Sequence, residues 1–249
     1  MDLAGSGKTT IISLICSDHP QAYSAPVKIF GRGRLPEQGS SGISIFDIQA
    51  RIGQSSPEVH TFFPKRLSIR QTLENAWADT FLGTPKLDTA CKSAVDTCLR
   101  TFEPELNPNF GTLAQACTDP TPDYGTDLTW ADSARFGHCT FSTQRVALFL
   151  RAVIKKPDIV VLDEAFSGMD EEVRNKCMRF LDHGMEGTGG LEERQALICI
   201  SHIKEEVPPS VREWLCLPEA GEGRVARFGK LDRPLAGDEQ CWDRIWNTH

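Results

Sequence analysis

Residues 5–10 read GSGKTT and have the chemistry of a phosphate-binding loop. In the pattern GxxxxGK[ST], backbone N–H groups and a helix N-terminus surround the phosphates, the lysine reaches the β- and γ-phosphates, and the hydroxyl binds Mg²⁺. The residues that fit this pattern are Gly5, Ser6, Gly7, Lys8, Thr9 and Thr10. Asp2 stands where the first glycine belongs, so this motif alone leaves open a flexible Gly/Ser segment before an unrelated helix.

A second group of candidate residues follows an apolar strand in DIVVLDEAF. Asp163 and Glu164 come at the end of that strand, where ligands of open α/β sheets bind. Asp163 suits the Mg²⁺ shell and Glu164 suits polarisation of an attacking water, although two carboxylates can also simply cap the next helix. His202 follows the apolar strand LICIS and is expected near the γ-phosphate; a structural or surface histidine is the alternative.

Strands and helices alternate along the chain, which predicts an α/β sheet that is at least partly parallel. Apolar runs predict strands at residues 26–30, 51–56, 158–166 and 195–201, with short edge strands at WLCL and GRVARFG. Helical periodicity predicts helices after Lys8 and within 70–102, 142–156 and 171–185. Residues 57–69 are interpreted as a connector and residues 107–129 as a loop.

Composition limits the class of protein. The 249 residues, 40% of them hydrophobic, suffice for one large domain with a buried core. A net charge of -7 disfavours passive binding of nucleic acid or of an anionic membrane, and no apolar run approaches a membrane span. Nine cysteines without a CxxC pair predict reduced thiols in the cytoplasm or another reducing compartment.

The pieces GSGKTT, FFPKRLSIRQTLENA, FSTQRVALFLRAVIKKPDIVVLDEAFSGMD and ISH, in this order, resemble the nucleotide-binding domain of an ABC-type ATPase. The block at 141–170 is the most specific, since it joins a signature-like segment, a Walker B strand and a D-loop-like SGMD. The segment after the histidine is most similar to the molybdate-transport/photorepair type of tandem ATP-binding protein.

The resemblance implies a P-loop NTPase fold, in which helices flank a mostly parallel sheet and a helical subdomain is inserted. It implies a single domain over 1–249 whose core comprises 1–66 and 141–249, with the insertion at about 67–140. The first strands of the family's domain and the aromatic residue that stacks on adenine lie upstream of its phosphate loop. We therefore expect the parent protein to extend upstream of Met1, so that this chain is N-terminally truncated.

The resemblance also implies ATP and Mg²⁺ as cofactors, with two domains meeting head to tail and each ATP between the phosphate loop of one and the signature of the other. The second domain would lie upstream in the same chain or in a second copy, and transport would need separate membrane subunits. The implied roles are phosphate and Mg²⁺ contacts for Lys8, Thr9 and Thr10, Mg²⁺ binding by Asp163, catalytic base for Glu164, signature contact for Ser142, D-loop contact for Asp170, and γ-phosphate switch for His202.

The sequence departs from the family pattern in two internal motifs. FSTQR replaces LSGGQ, keeping Ser142 but losing both glycines. Pro57 or Glu58 stands at the Q-loop glutamine, with Gln54 as a displaced candidate. These departures leave a non-catalytic regulatory or interaction module as the alternative. A DNA-repair ATPase of this class would need a long coiled coil or zinc hook, for which the insertion is too short.

Overall fold

The computed structural model describes residues 7–17, 19–110, 127–184, 189–218, 225–235 and 239–246. The chain forms two compact units. Unit 1 consists of Met1–Ile48 and Ile200–His249, and unit 2 of Gln49–Cys199. The single domain with an insertion at about 67–140 stays a prediction.

The described helices are α1 (Lys8–Cys16), α2 (Ile45–Arg51), α3 (Pro57–Phe62), α4 (Ile69–Glu74), α5 (Thr89–Thr101), α6 (Glu103–Leu106), α7 (Thr129–Ser133), α8 (Phe141–Val153), α9 (Glu171–His183) and α10 (Glu239–Trp246). The described strands are β1 (Ile52–Ser55), β2 (Ile159–Asp163), β3 (Ala196–Ile200), β4 (Glu213–Cys216) and β5 (Arg227–Lys230). None of these helices is long and apolar enough to cross a membrane.

The main sheet has the order β1-β2-β3 and places β2 in its middle. β1 and β2 are parallel, with Gln54 opposite Val161 and Ser55 opposite Leu162. A strand between two neighbours and covered on both faces must be apolar throughout, which is why the run IVVL precedes the acidic residues. Gly53 lies against the carbonyl of Ala152 on α8, so closely that a Cβ could not fit there. The parallel α/β sheet of the predicted fold class is confirmed.

Helix α8 is the centre of unit 2. Almost every residue from Gln144 to Val153 is buried, so the helix is enclosed on nearly all sides. Phe149 contacts Phe166 and Phe180, with ring centroids 5.5 and 6.4 Å apart, respectively. This packing joins α8 to the segment after β2 and to α9, and so fixes the end of the strand that carries the acidic residues.

Through Lys155, which lies just after α8, the stability of unit 2 should depend on pH. Its Nζ donates to Gln49 O at 3.2 Å, and burial, with a smaller effect of Arg151, lowers its pKa from 10.5 to about 8. The unfolded chain therefore binds more protons between these values, and stability should rise with pH from about 8 to about 10.5. We expect Lys155→Gln to lose this rise in stability, which is measured as the midpoint of urea unfolding between pH 8 and pH 10.5. The control is Lys156→Gln at an exposed neighbouring lysine, and it should retain the rise. An equal rise in Lys155→Gln would contradict the assignment.

Unit 1 contains the antiparallel pair β4 and β5, in register from Glu213 opposite Lys230 to Cys216 opposite Arg227. Its described core includes a cluster of buried residues beside this hairpin and on α10, namely Leu231, Leu235, Cys241 and Ile245. The edge strands predicted at WLCL and GRVARFG are thus confirmed as one hairpin.

Two local predictions are wrong. Residues 26–30 do not form a strand: Ile29 pairs only with Arg32, across a tight turn in which Phe30 and Gly31 have φ of 52° and 75°. The predicted connector at 57–69 begins with helix α3, which Ser56 caps by accepting from Val59 N at 3.2 Å. Ser-Pro at a helix start is a recognisable signal, since proline suits the first helical position.

Candidate nucleotide site

The described part of the phosphate loop is the start of α1 in unit 1. Gly7 precedes the helix with φ of 83°, a left-handed conformation that glycine adopts without strain. Lys8 is half-buried, and Thr9 and Thr10 are exposed in the first turn, which has no acidic residue. The N-terminus of a helix favours anions, so these residues suit phosphate. Gly5 and Ser6 lie outside the described residues.

Arg34 holds the other end of α1. This buried guanidinium donates to Ser17 Oγ from Nε and Nη2 at 3.1 and 3.0 Å, to Val27 O at 3.2 Å, and also to Leu14 O. A cation at a helix C-terminus stabilises the last carbonyls and the helix dipole. The sequence patterns do not single out Arg34, and an arginine amid the glycines of GRGRLP is its only signal.

The acidic residues stand at the carboxyl end of β2 in unit 2. Asp163 is the last residue of the strand and only 8% exposed, and Glu164 follows it, half-buried, with φ of 47°. A left-handed glutamate costs roughly 1–2 kcal/mol, and backbone strain of this kind is concentrated at functional sites. The strained corner turns the chain out of the sheet at the position where the sequence predicts the catalytic base.

The D-loop-like segment leads from this corner into α9. Asp170 is exposed at the N-cap of α9, and its carbonyl accepts from Arg174 N at 2.9 Å. Gly168 has φ of 76°, and a Cβ built there would lie 2.7 Å from the Phe141 ring. The D-loop-like segment therefore packs directly on the first residue of the signature-like segment.

Gly168→Ala should destabilise the protein for two reasons, a left-handed alanine and a clash with Phe141. Gly39→Ala is the matched control, since Gly39 has φ of 82° with nothing within 4 Å of an added Cβ. We expect the control to lose about 1 kcal/mol of its free energy of unfolding and Gly168→Ala to lose roughly 1–3 kcal/mol more, measured by urea unfolding. The additional loss should be smaller when Phe141 is absent, that is, when the Gly168→Ala, Phe141→Ala double variant is compared with Phe141→Ala alone. Equal losses in Gly168→Ala and Gly39→Ala would refute the contact.

The signature-like segment is the first turn of α8, and it is occupied by contacts within unit 2. Thr143 N donates to Thr140 Oγ1 at 3.2 Å, and Gln144 N donates to Thr140 O at 3.0 Å. The Gln144 side chain donates to Cys139 O at 2.9 Å and lies 2.7 Å from His60 Nε2. Burial is the main cause of the lowered pKa of His60, which favours the neutral ring. Ser142 is half-buried in this turn.

His202 is exposed two residues after β3, in unit 1. Ser201 fixes the backbone around it, accepting from Ile203 N and donating to Glu206 Oε2, both at 2.9 Å. Glu206 is buried and was not predicted as part of this turn.

The predicted residues thus fall into two described groups. Unit 2 brings together the acidic corner, the D-loop-like segment and the signature-like segment around α8, whereas residues 7–10 and His202 belong to unit 1. The displaced candidate Gln54 lies within β1, and its amide donates to Ser56 Oγ at 3.4 Å. Glu58 is exposed in the first turn of α3.

Known proteins are similar in sequence to this chain over most of its length. Residues 146–183 match the SbcC/RAD50-like Walker B motif. An uncharacterized ABC transporter ATP-binding protein of Schizosaccharomyces pombe is 34% identical over 207 residues, which is 83% of this chain and 36% of the relative. The ABC transporter ATP-binding protein ModF of Escherichia coli is 28% identical over 218 residues, 87% of this chain and 38% of ModF. The chain thus spans little more than a third of these relatives.

Solved structures with the same fold include ABC ATPase domains. The ATP-binding cassette MJ0796, solved as a dimer in a post-hydrolysis state with ADP and Pi, aligns with a TM-score of 0.55 and 15% identity, covering 91% of this chain and 81% of that one. An ATP-binding subunit of an ABC transporter aligns with a TM-score of 0.56 and 16% identity, covering 91% and 75%. At these identities the comparison concerns the fold alone.

The fold is that of ABC ATPase domains, in which helices flank a parallel sheet. The sequence is similar to ABC transporter ATP-binding proteins and carries the Walker B motif. The similarity to ModF agrees with the predicted resemblance to the molybdate-transport/photorepair type of ATP-binding protein.

Proposed function

We propose that this chain binds ATP and hydrolyses it in a Mg²⁺-dependent reaction. The observation that supports this most strongly is the corner at the end of β2, where a buried aspartate ends the middle strand of the sheet and a strained glutamate follows it. Ligands of parallel sheets bind at the carboxyl ends of the strands, and this corner is such an end.

Thr9 and Asp163 provide hydroxyl and carboxylate oxygens, which are the donors that Mg²⁺ prefers, so the residues present fit this ion. Bound Mg²⁺ would neutralise phosphate charge during hydrolysis. In this scheme Lys8 holds the β- and γ-phosphates, while Glu164 orients the attacking water and accepts its proton. His202 contacts the γ-phosphate and reports its presence.

The partner in this scheme is a second ABC domain, from elsewhere in the same protein or from a second copy. The two domains pair head to tail, so that Ser142 and Asp170 of one contact the nucleotide site of the other. Membrane subunits would be separate chains, and the compartment is the cytoplasm or another reducing one.

His202→Ala should leave ATP binding within a few-fold of the parent and lower turnover by roughly 10–100-fold, because one γ-phosphate contact is worth about 1.5–3 kcal/mol. The measurements are ATP titration and phosphate release. His183→Ala, an exposed histidine at the end of α9, is the control and should change neither. Normal turnover in His202→Ala would exclude the switch role.

A non-catalytic module is the second candidate, and the signature-like turn favours it. Glycine amides that would approach the partner's γ-phosphate are replaced by Thr143 and Gln144, whose amides already donate to Thr140. Mg-ATP binding and hydrolysis should be measured on this chain and on the longer protein that contains it. Turnover that requires Glu164 supports the ATPase, whereas no ATP binding by either folded protein would support the module.

A further inference from the structure

A basic cleft lies in unit 2, between the connector after α3 and the turn after α7. It has a volume of about 540 Å³ and is lined by Lys65, Arg66, Leu67, Gln71, Arg135 and His138. None of these residues is acidic, although the whole chain has a net charge of -7. A concentration of positive charge on an acidic protein attracts anions to one place.

The cleft is built on a fixed backbone frame. Two segments run antiparallel and exchange three hydrogen bonds: Ile69 N to Ala134 O at 2.9 Å, Phe136 N to Leu67 O at 2.8 Å, and Gly137 N to Lys65 O at 2.9 Å. A Cβ at Gly137 would lie 2.8 Å from Lys65 O, so the segments approach as closely as glycine allows. The frame holds the backbones of both cleft arginines before any ligand arrives, which lowers the entropy cost of binding.

Arg66 and Arg135 supply the accessible charge. Both are exposed, and Arg135 Nη1 donates to Arg66 O at 3.4 Å, which keeps the two close together. Lys65 is exposed as well, but its ammonium group is engaged within unit 2, because Nζ donates to His60 O at 3.2 Å and to Gln144 Oε1 at 3.4 Å.

Nearby carboxylates are engaged elsewhere. Asp132, on α7 close in sequence to Arg135, pairs with Arg70 at 3.2 Å. Arg70 also binds Asp96 at 2.6 Å. Asp96 on α5 and Asp132 on α7 therefore form ion pairs with Arg70 and not with the cleft arginines. Arg66 and Arg135 can thus bind an anion from solution.

We propose that this cleft binds a small ligand with two or more phosphate or carboxylate groups. Planar guanidinium groups bind both kinds of oxyanion through paired hydrogen bonds. The volume of the cleft falls in the range of small-molecule sites. None of the residues that line the cleft belongs to the proposed nucleotide site, which consists of residues 7–10, Ser142, Asp163, Glu164, Asp170 and His202.

The test is calorimetric titration of the Lys8→Ala protein, which removes phosphate binding at α1, with tripolyphosphate and with citrate. We expect at least one probe to bind, and the stronger of the two identifies the preferred oxyanion. Arg66→Gln with Arg135→Gln should weaken binding at least tenfold, and the lysine pair at the same positions should give an intermediate loss. The control is Arg100→Gln with Arg179→Gln, which removes the same charge from exposed sites on α5 and α9.

No binding of either probe would overturn the proposal. An equal loss in the control pair would overturn it as well, because it would show attraction to net charge only. The lysine pair keeps the result interpretable if the glutamine pair folds poorly. None of these outcomes depends on ATP hydrolysis.

Discussion

Lys8→Ala should weaken ATP binding about a hundredfold or more. Lys8 is the half-buried cation in the first turn of α1, behind a glycine in the left-handed conformation. Its ammonium group would make charge-assisted hydrogen bonds to phosphate worth roughly 1.5–3 kcal/mol each, and about 3 kcal/mol corresponds to a hundredfold change in Kd. Titration with a fluorescent ATP analogue measures the change.

Lys28→Ala is the matched control in the same unit. Lys28 is 57% exposed and pairs with Glu37 at 3.0 Å, an ion pair of little energetic weight. The control should bind ATP as the parent does and unfold at nearly the same temperature. If Lys8→Ala bound ATP with the parent's affinity, residues 7–10 would be an ordinary helix start and the phosphate-loop interpretation would be wrong.

Glu164→Gln should bind ATP normally and lower its hydrolysis by about 10²–10⁴-fold. The substitution keeps the size of the side chain and removes the carboxylate that would accept a proton from water, and general base catalysis contributes about this factor. Single-turnover phosphate release isolates the chemical step from binding. The stability of the protein should change little, since glutamine retains the same left-handed backbone.

Glu171→Gln is the control for this prediction. Glu171 is an exposed carboxylate in the first turn of α9, seven residues after Glu164, and should not affect turnover. A Glu164→Gln protein that released phosphate at the parent's rate would show that another group activates the water. A Glu164→Gln protein that bound no ATP would instead assign Glu164 a role in holding the nucleotide.

The sequence alone determined the parts of the fold that are governed by periodicity. The apolar run before Asp163 predicts β2, and the helical period at 142–156 predicts α8, because a strand buried on both faces and an enclosed helix leave continuous hydrophobic patterns. The order of the motifs also gave the resemblance to ABC-type ATPases, and the similar curated proteins are ABC transporter ATP-binding proteins. These are local signals, and tertiary contacts did not override them.

Other features depend on contacts between residues far apart in sequence. Residues 26–30 have the composition of a strand, but Phe30 and Gly31 make a turn there instead. The hydrogen bonds of Arg34 to the end of α1 span up to 20 residues, so no local pattern reveals them. The strain at Glu164 is likewise a property of the folded backbone.

The sequence therefore determined which residue types could bind phosphate and Mg²⁺, and in what order they occur, because motif chemistry is read from neighbouring residues. Only the tertiary structure decided that Phe141 rests on Gly168, that Gln144 lies against His60, and that two arginines 69 positions apart share one cleft. Such contacts arise when helices and loops from separate parts of the chain pack together, and packing depends on the whole shape of unit 2.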